Sequence, residues 1–370
     1  MSDPVRILIV DDSRLFRSAL EDALAGARDV EVVGSVFNGE KAMEFIRASP
    51  PDLVTLDVEM PGLSGLETLG RIQEYNASQP GRRAVGAIMV SSFTKRGAST
   101  TLAALEAGAF DFVTKPSGAS AEQSIEALSV ELLAKVRAFG QTVRQRGAVA
   151  GGAGGRGEGA GASRGSVKRA AVKPTAKAIV IGASTGGPKA LAELMPRLCS
   201  MVDLPILIVQ HMPVSFTLSL AESLGRQTGW ASCEAVEGAA VERSNIYVAP
   251  GGRHLVVRGA ASAPVVGVNE QPPENGCRPS ADVLFRSAAA TFGGETVAII
   301  LTGMGRDGTA GLGAVKRAGG YVIAQDEASS VVWGMPGSAV EAGVTHEVLP
   351  LNQIARAVAT IVKGGAATGT

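Results

Sequence analysis

Short apolar runs alternate with amphipathic stretches along the first part of the chain. RILIV from Arg6, VEVVGSV from Val30, LVTL from Leu53, Ala87–Val90 and Phe112–Thr114 are brief, β-branched and apolar, the texture of strands buried on both faces. Ser13–Ala25, Gly39–Ala48 and Glu122–Phe139 carry helical spacing between or after them. Five strands and five helices in strict alternation predict a doubly wound parallel sheet. The second half repeats the texture. Ala178–Ile181, Pro205–Gln210, Val297–Thr302, Tyr321–Ala324 and Val344–Val348 read as strands, with a helix over Pro188–Leu198 and another starting near Ser215. Val241–Val257, containing NIYVAPGGRHLVV, reads as a hairpin turning at Pro250-Gly251-Gly252, and Ser280 reads as a helix cap.

Between the halves the pattern breaks at GAVAGGAGGRGEGAGASRG, a composition that cannot bury enough apolar surface to fold. The expected fold class is therefore α/β, two doubly wound parallel-sheet domains joined by a flexible Gly-rich linker. The expected boundaries are residues 1–139 and 176–364 for the domains, 140–175 for the linker and 365–370 for a disordered tail. Arg144, Arg146, Arg156, Arg164, Lys168, Arg169 and Lys173 face only Glu158 in the linker, which we read as a solvated tether.

Composition narrows the classes. The chain has 370 residues, 45% hydrophobic but 4% aromatic, and 35 charges of each sign, a balance that argues against bulk electrostatic binding to nucleic acid. No apolar run approaches a membrane span and no basic, apolar leader precedes Arg6, so a soluble, cytoplasmic protein with no membrane insertion is expected. Cys199, Cys233 and Cys277 are scattered and suggest neither a disulfide framework nor a metal knuckle.

Parallel sheets display functional groups beyond the carboxyl ends of their strands. In the first half those positions hold Asp11-Asp12, Asp57 followed by Glu59-Met60-Pro61, Ser91 and Lys115. Carboxylates brought together repel, so they need a cation, and a hard ion such as Mg2+ suits carboxylates, a backbone carbonyl and water. Asp57 is then a candidate phosphoryl acceptor, with Ser91 and Lys115 placed to meet the added group. In order at successive strand ends, this set resembles the receiver domain of two-component response regulators. The resemblance implies that Asp57 takes a phosphoryl group from a histidine kinase. It also implies that Asp11, Asp12, Asp57 and the Glu59 backbone carbonyl hold Mg2+, and that Ser91, Phe112 and Lys115 form the switch. Gly62-Leu63-Ser64-Gly65 departs from the common receiver form, which carries an aspartate before the last glycine.

In the second half, Gly182, Ser184 and Gly186 spell G-x-S-x-G after a strand, and Pro188 suits the first turn of a helix whose N–H groups would point back toward Ser184. His211 follows the next strand. Asp307 lies in the glycine-rich loop after Val297–Thr302, with Asp203, Asp282 and Asp326 as rival carboxylates. A serine hydroxyl needs a base, and a base needs an orienting carboxylate, which points to Ser184, His211 and Asp307. His254 and His346 read as surface or substrate-rim residues, and Arg278 and Asp282 either line a cleft or pair with each other.

The stretches GASTGGP, QHMPVSFT, YVAPGGRHL, CRPSADVLF, LTGMGRDG and WGMPGSA resemble the catalytic domain of chemotaxis protein-glutamate methylesterases. That resemblance implies a serine esterase with no cofactor of its own, acting on methyl-accepting chemoreceptors and deamidating receptor glutamines. It makes Ser184 the nucleophile, His211 the base and Asp307 its partner, with Thr185 and Met304 at the oxyanion or substrate site. The region near Cys277 departs from the usual family form, so no chemistry is assigned to that thiol. Three rival readings are weaker. A DNA-binding response regulator lacks a helix-turn-helix candidate, a dinucleotide module lacks the second glycine where Ser184 stands, and a dead adaptor would not retain all three triad residues. A receiver-controlled hydrolase of another pathway stays open.

Overall fold

A computed structural model describes residues 3–92, 94–115, 121–151 and 176–364. In the first domain β1 (Val5–Val10), β2 (Val30–Val36), β3 (Leu53–Asp57), β4 (Gly86–Ser91) and β5 (Asp111–Thr114) form one parallel sheet in the order β2-β1-β3-β4-β5. The connecting helices are α1 (Arg14–Ala25), α2 (Gly39–Ala48), α3 (Gly65–Ser78) and α4 (Lys95–Glu106), followed by α5 (Ala121–Gly151). Alternate strand residues separate into two layers. Ile7, Ile9, Leu53 and Ile88 meet Leu20, Leu132 and Val136 on one face. Leu8, Val10, Leu56 and Met89 meet Ala42, Ile46, Leu69 and Leu102 on the other.

Two local differences from the expected pattern have plain causes. Ser64, where the common receiver form has an aspartate, closes a reciprocal cap on α3: its hydroxyl accepts the Glu67 N–H at 3.3 Å and its own N–H donates to Glu67 Oε2 at 2.9 Å. Helix α5 does not stop at Phe139 but runs on to Gly151, into the stretch expected to be linker, because Gln141–Gln145 contains no helix breaker. The remainder of that linker and the tail at 365–370 lie outside the described residues.

The second domain is a seven-stranded parallel sheet in the order β14-β13-β12-β6-β7-β9-β8. Its strands are β6 (Ala178–Ala183), β7 (Ile206–Gln210), β8 (Ala231–Glu234), β9 (Asn245–Val248), β12 (Thr296–Ile300), β13 (Tyr321–Gln325) and β14 (Glu347–Leu349). Helices α6 (Gly187–Cys199), α7 (Val214–Thr228) and α11 (Leu351–Val362) belong to the layer that meets the first domain. On the far side α8 (Ala281–Phe292), α9 (Thr309–Arg317) and α10 (Gly334–Glu341) cover the sheet. The expected hairpin over Val241–Val257 is not formed. Its first run becomes β9, paired parallel to β7 and β8, while its second becomes β10 (His254–Ala260), paired antiparallel with β11 (Ala263–Asn269). Apolar Ile246, Tyr247 and Val248 gain more burial inside the large sheet than a two-stranded ribbon could offer.

The domains pack on each other. Helix α4 lies against α6 and α7, and the Phe112 ring stacks on Phe216 of α7 with centroids 4.5 Å apart. Glu106 accepts hydrogen bonds from Ser223 Oγ at 2.8 Å and Gln227 Nε2 at 3.1 Å. Thr142 of α5 donates to the Val331 carbonyl at 3.1 Å.

Candidate functional site

Ser184 follows the last residue of β6. Its N–H donates to the Thr302 carbonyl at 3.0 Å, and its own carbonyl accepts from Gly187 N–H at 2.8 Å and Gln210 Nε2 at 2.9 Å. These bonds fix a turn so tight that Gly186 takes φ +78°, and a Cβ there would lie 2.5 Å from the Val331 Cβ. Only glycine meets both demands. Pro188 falls in the first turn of α6, as expected from its fixed φ and missing N–H.

His211 stands at the end of β7, one strand over. Its Nε2 is 2.8 Å from Asp307 Oδ2, with 14% of the His211 side chain and 2% of the Asp307 side chain exposed. Nδ1 faces Cys277 Sγ at 3.7 Å. Among the described residues neither ring nitrogen is hydrogen-bonded to the Ser184 hydroxyl. The structure thus joins two of the three expected residues directly and leaves the third on the same sheet edge. Burial alone would lower the imidazole pKa, but bonds to Asp307 and Cys277 outweigh it and push it up to about 9.

Asp307 sits in a cradle built by the start of α8. Ser280 Oγ donates to its Oδ1 at 2.7 Å, Ala281 N–H to Oδ2 at 2.6 Å, and Asn275 Nδ2 to Oδ1 at 3.2 Å. Burial would raise this carboxyl, yet the His211 bond and charge with the Ser280 and Ala281 donors hold it down at about 2. The rival carboxylates have other work. Asp203 pairs with Arg243 at the surface, Asp326 accepts from Ser329, and Asp282 accepts the Gly311 N–H at 2.6 Å.

Several expectations change. Ser280 precedes α8 as a cap residue would, but its hydroxyl goes to Asp307 rather than to its own helix. His254 is not at a rim: it is fully buried, bonded to the Pro272 carbonyl and the Ser280 N–H, and so braces the cradle from behind. His346 accepts the Val322 N–H at 2.9 Å and stacks on Tyr321, tying the last two strands together. Arg278 and Asp282 do not pair, since Arg278 donates to the Glu270 and Gln271 carbonyls. Thr185 is buried with its hydroxyl given to Asp111 of the first domain at 2.5 Å, whereas Met304 is 39% exposed beside the loop. Gln210, Ser280, Asn275 and Cys277 were not assigned to the site from sequence. Gln210, at a strand end before His211, and Cys277 and Ser280, within CRPSADVLF, carry a sequence signal; Asn275 carries none.

In the first domain Lys115 Nζ bridges Asp11 at 2.7 Å and Asp57 at 2.8 Å. Oxygens of Asp11, Asp12 and Asp57 lie within 4.8 Å of one another, a hard donor set that fits Mg2+. Burial raises the Asp57 carboxyl to about 6, with the Asp11 charge adding to it and Lys115 opposing. Ser91 is fully buried with its hydroxyl on the Ser92 carbonyl at 3.3 Å, and Glu59 N–H lies 3.4 Å from Asp57 Oδ1. Phe112 is buried against Phe216 rather than turned to solvent.

Fold and geometry together define a two-domain α/β protein with a cluster of carboxylates at the strand ends of one sheet, and a serine and a histidine–aspartate pair at the strand ends of the other. Two family models match it: "CheB methylesterase" over residues 179–358 and "Response regulator receiver domain" over residues 7–127. The chain is 42% identical to the protein-glutamate methylesterase/protein-glutamine glutaminase of Azospirillum brasilense, over 95% of this chain and 91% of that one. It is 40% identical to the protein of that name from Bacillus subtilis, over 97% and 99% of the two chains. Among solved structures, the Thermotoga maritima CheB methylesterase catalytic domain is similar, with 39% identity and a TM-score of 0.49. It covers 51% of this chain and 100% of that one. The chain belongs to the protein-glutamate methylesterase/protein-glutamine glutaminase family. No helix among the described residues is long and apolar enough to cross a membrane.

Proposed function

We propose that this chain is a phosphorylation-controlled serine hydrolase that removes γ-methyl esters from glutamates of chemoreceptors and deamidates receptor glutamines, acting in the cytoplasm. The observation that carries the reading is the His211–Asp307 pair at 2.8 Å, held by the Ser280 and Ala281 donors, on the sheet edge where Ser184 is displayed. Ser184 Oγ attacks the ester carbonyl as Nδ1, the imidazole nitrogen that Asp307 does not hold, leaves Cys277 and takes its proton. The tetrahedral intermediate collapses, the acyl–oxygen bond breaks, and methanol leaves with that proton. Water then attacks the acyl-enzyme, giving a proton to His211, which returns it to Ser184 as the glutamate carboxylate departs. With glutamine the leaving group is ammonia. Asp307 keeps the neutral imidazole's remaining proton on Nε2 and stabilises the imidazolium.

The receiver domain supplies the control. Asp57 accepts the phosphoryl group from a histidine kinase; Asp11, Asp12, Asp57 and the Glu59 carbonyl would hold Mg2+, which would offset the negative charge there. Lys115, now spent on Asp11 and Asp57, is free to pair with the added phosphoryl oxygens. In the unphosphorylated arrangement Asp111, Phe112 and Thr142 hold Thr185, Phe216 and the Val331 segment. A shift of about 1.4 kcal/mol in that contact moves its equilibrium tenfold.

The test is methanol release from methylated receptor membranes, with and without acetyl phosphate and Mg2+. Ser184→Ala should abolish release and still take up phosphoryl at Asp57. Release from that variant at the parent rate would refute the assignment.

A further inference from the structure

We propose that His211 and Cys277 form a binding site for a thiophilic divalent cation such as Zn2+, and that occupancy switches the esterase off. The inhibition rests on the hydrolase reading above; the binding does not. Ligand atoms of His211, Cys277 and Asp307 lie within 4.8 Å of one another. A nitrogen–sulfur pair selects Zn2+ over the hard ions suited to the receiver pocket. On a tetrahedral zinc ion, bond lengths of about 2.05 Å to nitrogen and 2.3 Å to sulfur place the two ligand atoms about 3.5 Å apart. Nδ1 and Sγ stand 3.7 Å apart already.

The surroundings supply what such a site needs. Asp307 accepts from Nε2, the outer-sphere carboxylate that orients a metal-bound histidine and directs its other nitrogen at the ion. Asp307 is itself saturated by Ser280, Ala281 and Asn275, so it orients rather than ligates. Cys277 is held in a tight bridge, its N–H on the Glu274 carbonyl at 2.8 Å and its carbonyl accepting the Glu274 N–H at 3.1 Å, and is partly open to solvent. Solvent fills the two remaining positions. Binding releases to solvent any proton the thiol and imidazole carry and uses the Nδ1 lone pair that would deprotonate Ser184. Without that base the hydroxyl is a poor nucleophile.

The test uses the full chain, stripped with EDTA and kept reduced with a non-chelating phosphine. Co2+ is titrated as a spectroscopic probe with Mg2+ present to fill the receiver pocket. A thiolate-to-cobalt charge-transfer band saturating at one equivalent is expected, lost in Cys277→Ser and retained in Cys233→Ser, which removes the exposed thiol. Zn2+ should displace the cobalt, lower methanol release at least tenfold, and be reversed by EDTA, while Cys277→Ser keeps its own metal-free rate at that Zn2+ level. Absence of the band in the parent chain, or its survival in Cys277→Ser, overturns the site. A normal band with unaltered methanol release overturns the switch alone, and failure of Ser184→Ala to stop release overturns the hydrolase reading and the switch that rests on it, but not the binding.

Discussion

The Thr185 hydroxyl donates to Asp111 Oδ2 across 2.5 Å, so the residue next to Ser184 is bonded to the receiver domain. Asp111 also meets Lys135 Nζ at 3.3 Å, and Lys135 reaches the Phe112 carbonyl. One carboxylate thereby ties the receiver's last strand and last helix to the turn that displays Ser184.

Replacing that carboxylate should loosen the resting contact. A hydrogen bond to a charged group contributes about 1.5–3 kcal/mol. Asp111→Ala should therefore raise methanol release in the absence of acetyl phosphate by about tenfold and shrink the stimulation that acetyl phosphate adds. An unchanged basal rate would mean the bond has no part in control.

The stacked pair Phe112 and Phe216 should show coupling in the same assay. An aromatic pair of this kind is worth about 0.5–1.5 kcal/mol beyond its buried area. Basal rates of Phe112→Leu, Phe216→Leu and the double variant should be non-additive by roughly that amount. Strict additivity would show that the stacking does not hold the domains.

His211 has its pKa raised to about 9, so below that pH it is mostly imidazolium and cannot take the Ser184 proton. The rate of the resting enzyme should rise with pH up to a limb near 9. Asp307→Asn removes the main support of the charged form, so the limb should move down toward the ordinary histidine value while the maximal rate falls by about two to four orders of magnitude. The same pair should affect stability. His211 contributes fully below its unfolded value of 6.5 and loses that contribution as pH rises through 9, and Asp307 contributes above 3.8 and loses it as pH falls through 2. Thermal melts of the parent and Asp307→Asn should differ most between about pH 4 and 6.5, the difference shrinking as pH falls toward 2 or rises toward 9.

Ser280→Ala deletes one donor to the Asp307 carboxylate and leaves helix α8 without any lost cap bond of its own. The expected result is a fall of about tenfold or more in kcat with little change in KM. Equal kcat in the two proteins would remove Ser280 from the positioning set.

Asp57 must be a carboxylate to attack acetyl phosphate, and burial raises its pKa to about 6. Without added Mg2+, phosphoryl uptake should fall as pH drops through 6; a bound cation should carry that fall to lower pH. Asp57→Asn should take up no phosphoryl group and lose all stimulation by acetyl phosphate. Stimulation that persists in that variant would locate the acceptor elsewhere.

Much of this was legible in the residues. Asp11, Asp57, Ser91, Lys115, Ser184, His211 and Asp307 all stand at or just beyond carboxyl ends of strands whose apolar runs are plain. The failures share one feature. Local pattern pairs the run at Asn245 with its nearest neighbour as a hairpin, but its partners are β7 and β8. His254 is buried and His346 half-buried rather than at a rim, each accepting a backbone N–H from a distant residue, Ser280 and Val322.

The alternation of strands and helices, the two α/β domains and the candidate residues at strand ends follow from local pattern, because the period of apolar positions and the chemistry at strand ends are properties of neighbouring residues. Three arrangements depend on contacts between residues distant in the chain and were decided by the tertiary structure alone. The imidazole gives Nε2 to Asp307 and turns Nδ1 to Cys277; Asp307 draws its donors from the start of α8; and Asp111 grips Thr185. Each is a bond of a few ångströms between segments 66 to 96, 25 to 27 and 74 residues apart, and no spacing rule in the sequence encodes which of many possible partners the packed domains bring within reach.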